Sequence, residues 1–153
     1  MDLIFWRHAE AHDAQPGQED LSRELTAKGE KQAAKIGAWL DRQMPEGVRV
    51  ICSPAKRTEQ TARSMGRKYK LKAELLPDAS HLDLLEAVGW PDSKMSVVVV
   101  GHQPVIGQCI SYLLGLPAGE CAVRKGAVWW LRSRVREGVP QTVVVSVQTP
   151  ELI

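Results

Sequence analysis

The sequence predicts an α/β fold: a single-domain, three-layer sandwich with a mostly parallel central sheet flanked by helices. Short continuous apolar runs alternate with longer segments of helical period along the whole chain. The run Val97-Val98-Val99-Val100 has no polar face, as expected of a strand covered on both sides in a parallel sheet. The length of 153 residues, with no repeat, low-complexity tract or Pro/Gly/Ser linker, points to one domain over residues 1–153.

Taken in order, Leu3-Ile4-Phe5-Trp6 reads as the first strand. Thr26 is a candidate cap for a helix running to about Arg42, with Ala33, Ile36, Gly37 and Leu40 on one face and Pro45 and Gly47 ending it. Val48 to Cys52 is a second strand. Ser53-Pro54 follows, a cap residue and a proline suited to a first helical position, and then a helix with Thr58, Thr61, Ala62 and Met65 on one stripe. Leu71 to Leu76 reads as a third strand stopped by Pro77, and Leu82 to Val88 as a helix broken by Gly89-Trp90-Pro91. The valine strand turns through Gly101-His102-Gln103-Pro104 into a helix aligning Ile106, Cys109, Ile110 and Leu113. Two more strands, Ala127 to Leu131 and Thr142 to Val147, flank a polar turn with Gly138. The tryptophans Trp6, Trp39 and Trp90 read as core or rim packing.

Composition narrows the function classes. Apolar residues at 44% and charged residues at 25% are ordinary globular values and exclude a disordered or fibrous chain. A net charge of +2 is too small to imply nucleic acid or membrane by bulk charge. The opening apolar run lacks a basic n-region and a small-residue cleavage site, so neither a signal peptide nor a membrane span is expected. Three cysteines, an odd number, fit a reducing compartment, and the expected location is the cytoplasm.

In open α/β sheets ligands bind beyond the carboxyl ends of strands. The residues there are Arg7-His8, Ser53-Pro54-Ala55-Lys56-Arg57 and Gly101-His102-Gln103. Singly, each reads as an ordinary loop or solvated charge. Three successive sheet exits bearing two imidazoles and two guanidinium groups point to a tetrahedral dianion, because Arg forks match phosphoryl oxygens and helix starts favour anions.

The run Phe5-Trp6-Arg7-His8-Ala9-Glu10-Ala11 resembles the Arg-His-Gly signature of the histidine phosphatase superfamily, the phosphoglycerate mutase-like proteins. Three further blocks are similar to the family's: Leu25 to Ala33, Ser53 to Ala62, and Val100 to Gly107. The short length, with Ala9 where the superfamily has glycine, looks most like the SixA-type phosphohistidine phosphatases. The resemblance implies a phosphoglycerate mutase-like fold and a covalent phospho-His8 intermediate. His8 would be the nucleophile, Arg7 and Arg57 would clamp the equatorial oxygens, and His102 would donate to the phosphoryl group, with the Gln103 N–H as another donor. No metal or other cofactor is implied, since arginines and histidines supply the positive charge.

The general acid stays open among Asp78, which matches the family's place after the third strand, Asp83 and Glu10. An imidazole leaving group, with pKa near 6.5, needs such an acid far less than an alkoxide does. The expected substrate is a phosphohistidine side chain on another protein. The alternatives are small phosphate esters turned over with broad specificity, or an idle phosphate-binding module. Short connections leave no room for a lid domain, so an open pocket is expected.

Rival chemistries fit less well. A cysteine phosphatase needs five residues between Cys and Arg, and four separate Cys52 from Arg57. A zinc site on His8 and His12 lacks a third ligand. The basic and aromatic run holding Arg124, Lys125, Trp129, Trp130, Arg132, Arg134 and Arg136 reads as a solvated rim rather than a nucleic-acid surface.

Overall fold

The computed structural model describes residues 1–153, the whole chain. Six strands form one sheet: β1 (Asp2–Arg7), β2 (Arg49–Cys52), β3 (Lys70–Leu71), β4 (Val97–Gly101), β5 (Val128–Arg136) and β6 (Val139–Gln148). Their order is β3-β2-β4-β1-β5-β6. The pairs β1–β4, β2–β4 and β2–β3 are parallel, whereas β5 is antiparallel to both β1 and β6. Four helices flank the sheet: α1 (Ala27–Gln43), α2 (Lys56–Arg63), α3 (His81–Ala87) and α4 (Val105–Leu114).

Strand alternation sorts the core into two layers. Leu3, Phe5, Ile51, Val97 and Val99 pack with Leu84 and Leu85 of α3 and Ile106, Cys109 and Ile110 of α4. Ile4, Trp6, Val50, Cys52, Val98 and Val100 point the other way, onto Ile36 and Leu40 of α1 and Ala62 of α2. The whole of β4 is buried on both faces, which explains its unbroken apolar sequence.

The local signals act as their chemistry requires. The Thr26 side chain accepts from the Gly29 N–H at 3.0 Å and caps α1. Gly29 has no alternative, because a Cβ there would lie 2.0 Å from the Glu10 carbonyl oxygen. Ser80 caps α3, which begins at His81, one residue before the expected Leu82.

Three expectations need correction. The third strand is only Lys70–Leu71. Residues 73–75 form a 3-10 turn instead, which drops Leu75 into the core while Leu71 stays 48% exposed. Ser53-Pro54 does not cap α2, for the N-cap is Ala55 and the Ser53 hydroxyl is engaged elsewhere. The last two strands are longer than their apolar centres, because the Glu137–Gly138 turn, with φ of 52° and 76°, lets them pair out to Arg136 and Val139. No helix is long and apolar enough to cross a membrane.

Candidate active site

The parallel register brings three strand exits side by side. Arg7 pairs with Gly101, and Cys52 with Val100. The ladder continues one residue past the strands: the His8 N–H donates to the Gly101 carbonyl and the Ser53 N–H to the Val100 carbonyl, both at 3.0 Å. Adjacent strands lie about 4.8 Å apart, so His8, His102 and Ser53 become neighbours although far apart in sequence. The His8 and His102 rings meet edge-on with centroids 5.4 Å apart.

Both imidazoles are buried, at 8% and 2% exposed. His8 Nδ1 lies 2.7 Å from the Ala9 carbonyl oxygen, which can only accept. The ring proton therefore sits on Nδ1 and Nε2 keeps its lone pair. Desolvation brings the His8 pKa down to about 3, against the pull of the Ala9 bond and reinforced by the positive charges of Arg57, Arg7 and Arg23. His102 falls to about 3 for the same leading reason, with His8 and Arg57 adding to it. Its Nε2 lies 2.8 Å from the Ser53 hydroxyl.

The two arginines are tethered from behind. Arg7 Nη1 donates to the Val123 carbonyl at 2.8 Å. Arg57, 3% exposed, donates through Nη1 to the Asp20 carbonyl at 2.8 Å and through Nη2 to the Asp20 carboxylate at 2.9 Å. Thr61 ties α2 to the first loop, accepting from the Ala9 N–H and donating to the Arg57 carbonyl. After these bonds, Arg7 Nε, Arg57 Nε and His102 Nδ1 are buried with no partner. They are three of the five such side-chain atoms in the molecule. Donors buried without acceptors are costly and rare, so their concentration here marks a place for an anion.

The remaining candidates divide. The Gln103 side chain faces away from this cluster, with its amide bonded to the Cys121 carbonyl and the Gly107 N–H. Its backbone N–H makes no backbone hydrogen bond. Asp78 and Asp83 are exposed, and neither side chain bonds to the four. Glu10 accepts from the Thr26 hydroxyl at 2.7 Å. Cys52 is fully buried on β2, with its thiol pushed up to about 12 by desolvation, and is no nucleophile at neutral pH. No group of three or more His, Cys, Asp or Glu side chains is placed to hold a metal ion. In the basic rim, Trp130 Nε1 and Arg132 both donate to the Asp2 carboxylate.

The site is less open than the short connections suggest. The exposed segment 12–24 lies across Arg57 through Asp20, and the Asp20 carboxylate also takes Arg23 at 3.0 Å. Asp20 and Arg23 border the candidate site and were not anticipated from the sequence, and neither was the bond of Ser53 to His102. Only Ser53, already singled out as a polar residue after a strand, carried a usable signal.

The profile of the histidine phosphatase superfamily (branch 1) matches residues 3–95. The chain belongs to this superfamily. It is 30% identical over 125 residues to phosphohistidine phosphatase SixA of Escherichia coli K12, covering 74% of each chain. A SixA homolog of Haemophilus influenzae is 29% identical over 131 residues, 75% of this chain and 78% of that one. The structure of the protein histidine phosphatase SixA complexed with tungstate superposes with a TM-score of 0.79 at 24% identity, covering 98% of this chain and 97% of that one. The phosphoglycerate mutase-like sandwich and the SixA-type membership expected from the four sequence blocks are thus both found, and the chain is a hydrolytic phosphatase by class.

Proposed function

We propose that this histidine phosphatase, one domain over residues 1–153, removes the phosphoryl group from phosphohistidine side chains of a protein through a covalent phospho-His8 intermediate. The observation that carries the reading is an imidazole with a free Nε2 lone pair among three buried donors that lack acceptors. In the first step His8 Nε2 bonds to phosphorus as the substrate's P–N bond breaks, and the leaving imidazole, already protonated on its far ring nitrogen, keeps the bonding pair and departs neutral. In the second, water attacks the phosphorus and the P–N bond to His8 breaks, giving inorganic phosphate, a proton released to solvent and His8 with its lone pair restored. Arg7 and Arg57 neutralise the equatorial oxygens, and the Ser53 hydroxyl, donating to His102 Nε2, keeps the proton on Nδ1 for the phosphoryl group. The backbone N–H of Gln103 is a further donor.

Leaving-group chemistry supports phosphohistidine over esters. Asp78 is exposed and unconnected to the cluster, and an imidazole of pKa about 6.5 departs without the proton that an alkoxide requires. Free thiols at Cys52, Cys109 and Cys121 suit a reducing compartment such as the cytoplasm. The deciding experiment is rapid quenching after mixing with a phosphohistidine peptide, followed by mass spectrometry. The expected adduct is acid-labile, alkali-stable and mapped to His8, and His8→Ala loses it with at least a thousandfold drop in turnover. An adduct elsewhere, or turnover persisting in His8→Ala, overturns the assignment.

A further inference from the structure

A cavity of about 670 Å³ lies away from the candidate active site and is lined by none of its residues. It opens at the β3 edge of the sheet, with Val48, Val50 and Tyr69 as walls and Arg49, Lys68 and Lys70 at its rim. The three rim cations are exposed and none has a carboxylate within salt-bridge distance, whereas Arg67 beside them is taken by Asp41 at 2.7 Å. In a chain of net charge +2, such an unpaired cluster is a local excess.

The backbone here is unfinished as well. Strand β3 pairs only with Ile51 and Cys52, so no strand pairs with Arg49 and Val50 on that edge, where the cavity opens between them and Lys68 and Tyr69. Arg49 donates its N–H toward β4, to Ser96, and strand alternation turns the N–H of Val50 outward. Leu71, 48% exposed on the two-residue edge strand, adds an apolar foothold. The cations continue toward the chemistry, since Lys72 donates its N–H to the Cys52 carbonyl, one residue before Ser53. From Val50 to Ser53 is about 10 Å along a strand.

We propose that this groove docks an acidic, extended segment of the phosphorylated partner protein, pairing along the free edge of β2 and presenting the phosphohistidine to His8. Naming the occupant a substrate rests on the phosphohistidine phosphatase reading, but the groove's preference for an acidic strand does not. An open sheet edge selects an extended backbone, alternate apolar walls take its inward side chains, and the unpaired cations select acidic outward ones. Nucleic acid is the poorer fit: the groove has a single aromatic ring, that of Tyr69, half-buried with its hydroxyl held by Glu59, whereas a strand of bases stacks on successive rings.

The test uses two fluorescein-labelled, unphosphorylated peptides, one alternating glutamate with valine and one alternating glutamine with valine, followed by anisotropy at low salt. The glutamate peptide should bind the intact chain about tenfold more tightly, the scale of two or three exposed ion pairs. Arg49→Glu/Lys68→Glu/Lys70→Glu should erase that margin, with the milder Lys68→Gln/Lys70→Gln losing about half of it on a logarithmic scale. Both variants should turn over p-nitrophenyl phosphate within twofold of the parent. Equal binding of the two peptides, a margin that survives charge reversal, or tighter binding to anionic vesicles or a single-stranded oligonucleotide than to the glutamate peptide overturns the proposal. Because the peptides carry no phosphate, the docking surface can fail or stand separately from the reaction. Phosphohistidine peptides with the same flanks then ask whether docking lowers KM while leaving kcat unchanged.

Discussion

Asp20 shows how a single exposed carboxylate can set the aim of a buried cation. Its carbonyl and carboxylate hold both terminal nitrogens of Arg57, leaving Nε as the unpartnered donor. Burial pushes the Asp20 pKa up, but hydrogen bonds and charge from Arg57 and Arg23 outweigh it and hold the carboxyl below its ordinary range. Asp20→Ala removes the carboxylate while the main-chain acceptor remains, so Arg57 should loosen rather than leave. A charge-assisted bond contributes about 1.5–3 kcal/mol when buried, and the half-exposed Asp20 contributes less. The expected result is a fall of about tenfold in kcat/KM on p-nitrophenyl phosphate, with Asp20→Asn between the two. A rise in kcat/KM would instead show that Asp20 competes with the phosphoryl group for Arg57. Nothing in the sequence announces this pair: Asp20 lies in a polar, aperiodic stretch, and only folding brings it to a helix 37 positions away.

Among the elements, α4 carries a less visible duty. A Cβ on Gly107 would lie 2.0 Å from the Cys121 carbonyl oxygen, so α4 and the segment after it touch backbone to backbone. That segment then delivers the Val123 carbonyl to Arg7. Gly107→Ala should therefore cost about 2 kcal/mol by overpacking, roughly 6 °C in Tm, and lower kcat/KM per folded molecule by freeing Arg7. Unchanged kcat/KM at the lowered Tm would show that the Val123 tether does not position Arg7. The same elements show how far pattern reading reaches. Val97 to Val100 and the Thr26-capped helix were legible because burial on both faces and capping chemistry are written locally. The stretch from Leu71 to Leu76 misled because its apolar residues fit a strand, while at the sheet edge only Leu75 finds a core to enter. Arg7, His8, Arg57 and His102 were legible as strand-exit residues, but their tethers to Val123, Asp20 and Ser53 depend on contacts across long sequence separations.

At the scale of the whole molecule, stability is coupled to the protonation state of the two buried histidines. His8 and His102 are both displaced from 6.5 to about 3, chiefly by desolvation. Between those values the unfolded chain binds protons at both positions and the native fold does not. Unfolding then takes up protons, so stability falls as the pH drops from 6.5 toward 3, and above 6.5 this contribution is fully present and level. Carboxylates held below their ordinary range, such as Asp2 and Asp20, act in the same direction, but mainly below about pH 4. Thermal melts across pH 4.5–7.5 should therefore show Tm falling toward the acid end, with a shallower slope in His8→Gln and again in His102→Asn. A parental Tm that is flat over this range, or an undiminished slope in both variants, would mean that the two imidazoles titrate normally. They would then be more hydrated than the packing around Arg57 and Ser53 allows. A shallower slope would tie the fold's acid sensitivity to the burial that keeps His8 neutral, the state that the proposed attack by its Nε2 requires.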